Sequence, residues 1–364
     1  MSIRSIARRI VLFVFLILCA ATCAAAPARH HAAKPAANAA ALAADRIILR
    51  GDHSTARVYS ALIRSFEKSG LGTVVLQPFS TISGLDAVHD GTADVAGSAR
   101  DAMPGRAQEQ GTIFYPVAWD ALVPIVATSN PVSNVTLKQL HDVYLGRITN
   151  WRDLGGVDAP ITLDGVAAPL DGVEFSTRKL LFHYGDQTVS VSRMYVNTEK
   201  LEEDIALNAN GLGMSTLSGV AKNPKVKMLG VEGVRASTAT IADGTYPLYS
   251  AIYLASREDD PRHAQVAKFV AFASGDAGKE ILRQQDLVPY ADAPDLMTTK
   301  QEARVAYVDA HLKGMLMLDG RPATAPNATV DYVTRMAPIA PETQALKAEA
   351  ARLKAEKQPK PEEH

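Results

Sequence analysis

From residue 46 onward the chain alternates short apolar runs with stretches of helical periodicity, and this alternation restricts the fold more than any other feature. Ile47, Ile48 and Leu49 form a buried-strand pattern, Gly51 supplies a turn, and Ser54 or Thr55 stands where a helix N-cap is expected. The helix that follows repeats Val58, Ala61, Leu62 and Phe66 at helical spacing. A second strand over residues 73–76 leads to the polar turn Ser80-Thr81, a short helix over 83–89, and a third strand at Asp94-Val95-Ala96. Strands alternating with helices at this spacing predict a parallel sheet of α/β type.

Two apolar stretches, residues 114–127 and 246–255, are too strand-like for helices and longer than ordinary strands, so they read as crossovers between two halves. Between them lie a helix capped by Thr136 with Gln139 three residues on, the turn Thr149-Asn150-Trp151, and a helix opening at Ser176-Thr177-Arg178. Helices over 264–273 and 275–284 would then return to the first half. With 364 residues, 47% of them hydrophobic, there is material for two cores. The expected division is lobe 1 over 45–120 and 250–292 and lobe 2 over 121–249, followed by a C-terminal extension over 293–364, partly disordered, whose end from 341 is charged and rich in Ala and Lys.

The N-terminal end sets the compartment. Arg4, Arg8 and Arg9 precede an apolar run over 10–20 and then small residues to Ala26, the order of a cleaved secretory signal over residues 1–26. That run is shorter than the roughly 20 apolar residues a membrane span needs. Cleavage would take the formal net charge from −1 to −4, and neither value suggests a nucleic-acid partner. Both cysteines, Cys19 and Cys23, lie in the signal, and Leu18 and Thr22 are poor residues to precede a lipidated cysteine. The mature chain would hold no thiol, which suits an oxidising compartment and excludes disulfides and thiolate zinc sites. Residues 27–44, mostly Ala, Pro and His, cannot bury enough apolar area to order themselves and read as a flexible leader. His30 and His31 there read as solvated side chains, and no metal or cofactor is expected.

Several blocks resemble the periplasmic phosphate-binding protein family of phosphate ABC transporters. These are Asp94-Val95-Ala96-Gly97-Ser98-Ala99-Arg100, Pro116-Val117-Ala118-Trp119-Asp120, and above all Asn134-Val135-Thr136-Leu137-Lys138-Gln139-Leu140 followed by Gly146-Arg147-Ile148-Thr149-Asn150-Trp151. The likeness continues through Ser176-Thr177-Arg178, residues 208–214, Tyr246-Pro247-Leu248-Tyr249 and residues 269–290, so it covers about 46–292. It implies a two-lobed periplasmic-binding-protein (Venus-flytrap) fold of α/β class, each lobe a mixed sheet flanked by helices, the lobes joined by two crossover strands. It further implies a periplasmic monomer that captures inorganic phosphate or a related oxyanion and delivers it to the permease subunits of the transporter.

A buried oxyanion needs donors, and helix N-termini supply backbone N–H groups with a favourable dipole. The candidate termini lie at Ser54, Ser83 and Ser176, with Ser98 at a strand end. The resemblance implies that Thr81, Ser98 and Thr177 add hydroxyl donors and that Arg178 adds the main charged one. It also marks departures. Asp171 stands where the family has Arg, Phe175 where it has Ser, and Ala99 where many members place a carboxylate after the serine. Such a carboxylate accepts the proton of phosphate and repels sulfate, a role open to Asp52 or Asp171; each of these, like His53, also fits an ordinary cap or loop position. Catalysis is not expected. Ser65 with Lys68 and Ser176 with Lys179 fit S-x-x-K, but the companion motifs of that chemistry are missing from the sequence, as are zinc-hydrolase, Walker and nucleophile-elbow motifs. The alternative reading is a binding-protein fold that has lost transport and serves as a periplasmic sensor, scaffold or interaction protein.

Overall fold

The computed structural model describes residues 46–103, 105–167, 171–183, 185, 187–312 and 331–332. The expected signal over 1–26, the leader and the charged end lie outside these residues. The chain opens with β1 (Arg46–Asp52), α1 (His53–Lys68), β2 (Thr73–Phe79), α2 (Thr81–His89) and β3 (Val95–Ser98). β1 pairs in parallel with β2 and β3, so the expected parallel α/β unit is present. Alternation explains its two covered faces. Ile47 and Leu49 enter a core with Val58, Leu62 and Phe66 of α1, whereas Ile48 faces Leu85 and Val88 of α2.

β4 (Thr112–Ala127) is 16 residues long. Beyond it come β5 (Asn134–Val135), α3 (Leu137–Tyr144), β6 (Thr162–Val166), α4 (Gly172–Phe182), β7 (Arg193–Tyr195), α5 (Thr198–Ile205), β8 (Gly211–Thr216), α6 (Leu217–Val220), β9 (Val226–Met228), β10 (Gly230–Val231) and α7 (Thr238–Ala242). The chain continues with β11 (Tyr249–Arg257), α8 (His263–Ser274), α9 (Asp276–Gln284), β12 (Val288–Pro289), α10 (Thr299–His311) and β13 (Asp331–Tyr332). The strand order β13-β7-β6-β8-β4-β11-β3-β1-β2 puts β4 and β11 in the middle. Along residues 112–121 β4 pairs antiparallel with β11, and from Leu122 it pairs with β8 and β9. The two long apolar stretches are thus the strands on which the two halves meet.

Two cores flank that junction. One gathers Ile47, Leu49, Leu62 and Phe66 with Phe269 of α8 and Leu282 of α9. The other gathers Leu122, Ile125, Leu140, Trp151, Leu163, Phe182 and Met214. This is the two-lobed mixed α/β fold that the sequence implied.

Helix starts correct the sequence reading in three places. α1 begins at His53 behind the cap Asp52, α2 at Thr81 behind Ser80, and α4 at Gly172 behind Asp171. The expected openings at Ser54 or Thr55, at Ser83 and at Ser176 therefore lie inside their helices. Past residue 293 the described part of the expected extension holds one further α-helix. α10 packs Val308, and Leu312 beyond its end, into the second core beside Leu296.

Candidate functional site

The N-termini of α1, α2 and α4 converge, and the atoms that occupy the meeting point are two carboxylates of the chain itself. Asp52 and Asp171 are each only 2% exposed. Asp52 caps α1: Oδ1 accepts the Ser54 N–H at 2.8 Å and the Ser54 hydroxyl. Its Oδ2 accepts the Thr81 hydroxyl at 3.0 Å, and Thr81 Oγ1 in turn accepts the Ala99 N–H at 3.2 Å. Asp171 makes no capping bond to its own helix by its side chain. It reaches to the start of α2, where Oδ1 accepts the Ile82 N–H at 3.4 Å.

Contact between the lobes at this point is close. A Cβ on Gly172 would lie 2.6 Å from Ala99 Cβ, 2.6 Å from Thr81 Oγ1 and 2.8 Å from Asp52 Oδ2, so only glycine lets α4 begin here. Burial holds the Asp171 carboxyl well above the usual carboxylate range, and the charge of Asp52 pushes it further. Backbone N–H groups of Gly172, Ile82 and Thr81 offset this only in part. Of the two acids, Asp171 is thus the one whose surroundings favour the protonated form.

The sequence-predicted residues divide. Ser54 and Thr81 meet at Asp52. Ser83 serves the capping box of α2, its N–H bonding Ser80 Oγ at 3.1 Å while its hydroxyl accepts the Ser80 N–H at 3.2 Å. Ser176, one turn into α4, donates to the Ala99 carbonyl at 3.0 Å. Ser98 turns to the Arg100 carbonyl at 2.7 Å, and the buried Thr177 hydroxyl finds no partner among the described residues. Arg178 does not join them. Its Nη2 lies 2.8 Å from Glu174 Oε2 and its Nη1 donates to the Gln187 carbonyl at 3.1 Å, while Glu174 Oε1 accepts the Val166 N–H at 2.9 Å. Because α4 opens at Gly172, about one turn before the expected start at Ser176, the Arg178 guanidinium lies well inside the helix and points to that buried acid, so the expected role of main charged donor is not what the geometry gives it.

The donors missed from sequence are backbone N–H groups, those of Ile82 and Ala99, which no residue type announces. Beside the cluster a cavity of about 560 Å³ opens between the lobes, lined by His53 and Arg57 from α1 and by Glu199 and Glu202 from α5. His53 Nε2 lies 3.3 Å from Glu199 Oε2 and bridges it. Burial opposes the charged form of His53, but the hydrogen bond and charge of Glu199, with Asp52 and Glu202, outweigh it, and its pKa is raised.

Comparison with known proteins follows the same line. Residues 36–165 match the model of a PBP superfamily domain. The phosphate-binding protein PstS of Bacillus subtilis is 26% identical over 211 residues, which are 57% of this chain and 66% of that protein, so the match spans a little under two thirds of that relative. Protein SphX of Synechococcus elongatus is 26% identical over 271 residues, 68% of this chain and 78% of that protein. A Clostridium perfringens substrate-binding protein solved with bound phosphate superposes with a TM-score of 0.60 at 24% identity, covering 67% of this chain and 99% of that one. An ABC-type phosphate transport receptor from Vibrio cholerae gives 0.53 at 25% identity, with 66% and 99% covered. A domain match over residues 36–165, sequence relatives at 26% identity and a shared two-lobed fold thus agree in making this chain similar to proteins of the PBP superfamily.

Proposed function

We propose that this chain is an exported solute-binding protein that takes inorganic phosphate, or an oxyanion of the same shape, where α1, α2 and α4 converge, and hands it to the permease of an ABC transporter. In this reading it works as a periplasmic monomer whose lobes, 45–120 with 250–292 against 121–249, close on the ligand. One observation carries the proposal: the N–H groups at the starts of α1 and α2, the Thr81 hydroxyl and the two acids already form a network built around oxyanion groups. When the lobes part, Asp171 leaves Ile82 and those donors become available to phosphate. Asp52 then accepts the proton of the phosphate, which sulfate lacks, and so takes the role that Ala99 cannot fill. The phosphate-binding names of relatives such as those in Bacillus subtilis and Borreliella burgdorferi support the same ligand.

Calorimetry with phosphate and sulfate tests this on the wild type and on Asp52→Asn. Phosphate should bind and sulfate should not. Asp52→Asn should shrink the preference about tenfold or more, the loss of one charge-assisted bond. No phosphate binding by the wild type between pH 5 and 8 would overturn the proposal. A second reading, a sensor or scaffold that has given up transport, is favoured by the fit of Gly172 against Thr81, Ala99 and Asp52, which leaves no room for a ligand in this closed arrangement. Under that reading Asp171→Asn gains phosphate binding that the wild type lacks.

A further inference from the structure

A second cavity, of about 260 Å³, lies where α10 crosses β4 and β11. Two of its lining residues carry buried donor groups. The Trp119 indole N–H and the Tyr249 hydroxyl belong to side chains 3% and 0% exposed, and among the described residues neither has a hydrogen-bond partner. Arg304 of α10 stacks its guanidinium 4.0 Å over the Tyr249 ring. Its Nη1 donates to the Tyr249 carbonyl and its Nη2 to Gln301, while Nε is buried without a partner. Among the described residues no carboxylate lies within ion-pair distance of Arg304; the titratable groups acting on it are Tyr249 and Tyr253. Asp101, at the rim, is engaged by Lys179 at 2.5 Å.

A half-buried cation without a counter-charge, its Nε buried and unpartnered, beside two buried donors without acceptors, is costly unless something supplies both. The remaining lining mixes polar side chains, among them Ser176, Lys179, His183 and Ser250, with an apolar side formed by Leu180, Ala251, Val305 and Val308. An inorganic anion gains nothing from that apolar side, whereas a carbon skeleton does. We propose that this cavity binds a small organic carboxylate, its oxygens on Arg304, Tyr249 and Trp119 and its carbon frame against Leu180, Ala251 and Val305. The size suits a compound such as benzoate or butyrate. The site is separate from the one at Asp52 and Asp171, and its lid, α10, lies beyond residues 46–292 that carry the family resemblance.

Sodium benzoate, butyrate, acetate and phosphate are titrated into the full chain by calorimetry, with Trp119 fluorescence as a second signal. Benzoate and butyrate should bind one to one and acetate more weakly, and phosphate should not displace them. Arg304→Met should weaken binding tenfold or more, Arg304→Lys less, and Asp52→Asn should leave it unchanged whether or not phosphate binds elsewhere. Should Arg304→Met fail to fold, Tyr249→Phe removes one hydroxyl and should weaken binding severalfold. The proposal is overturned if the folded wild type shows no saturable binding of any carboxylate up to roughly 10 mM, or if Arg304→Met or Tyr249→Phe binds as the wild type does.

Discussion

At Asp164 of β6 a carboxylate is 1% exposed with neither oxygen partnered among the described residues. Burial, with the charge of Asp204 added and that of Arg193 opposing, pushes its pKa to about 8. A folded pKa above the unfolded one means that the folded chain holds the proton more tightly, so the associated stability is full below about pH 4 and is lost as pH rises through 8. Asp164→Asn should therefore be more stable than the wild type at pH 9, on the order of a few kcal/mol, with little gain at pH 5. Urea denaturation at the two pH values checks this, and a gap independent of pH would refute it. At the binding cluster, Ser54 and Thr81 were legible in the sequence because hydroxyls beside turns are common donors. Asp171 was not legible as a partner of α2, because the N–H it reaches, on Ile82, is 89 positions away.

Local signals explain which elements the sequence revealed. The start of α3 was readable because its capping box is complete within four residues: the Gln139 N–H bonds Thr136 Oγ1 at 3.0 Å and the Thr136 N–H bonds Gln139 Oε1 at 2.9 Å. The start of α4 was hidden because Asp171 spends its side chain on another helix and Gly172 reads as a loop. The resemblance placed Arg178 among the ligand's donors, whereas in this fold it pairs with Glu174, Arg178 being 4% and Glu174 1% exposed. Arg178→Ala would strand a buried carboxylate and should cost roughly 3 to 5 kcal/mol in urea denaturation. Under conditions where the variant stays folded, its phosphate affinity should match that of the wild type; a fall of tenfold or more would return Arg178 to the binding site. α10 escaped notice since Val308 is its only buried residue.

For the whole molecule, the bridge from His53 on α1 to Glu199 on α5 ties closure to pH. Because its folded pKa is raised, the bridge is at full strength below the ordinary histidine value and is lost as pH rises through the raised one. Ligand-free protein should therefore show a larger radius of gyration at pH 9 than at pH 6 by small-angle scattering, and His53→Gln should remove that difference. An equal radius at both pH values, or a difference that survives the substitution, would contradict it. The two-lobed plan was legible because runs as long as 114–127 outlast any one sheet. β4 is a spine held in common: its first ten residues zip to β11 and its last six to β8 and β9. Neither lobe can then be excised as a freestanding piece. A chain cut on either side of Asp120 would leave a raw, unpaired edge on β11 or on β8, and a bare edge of that kind recruits another strand.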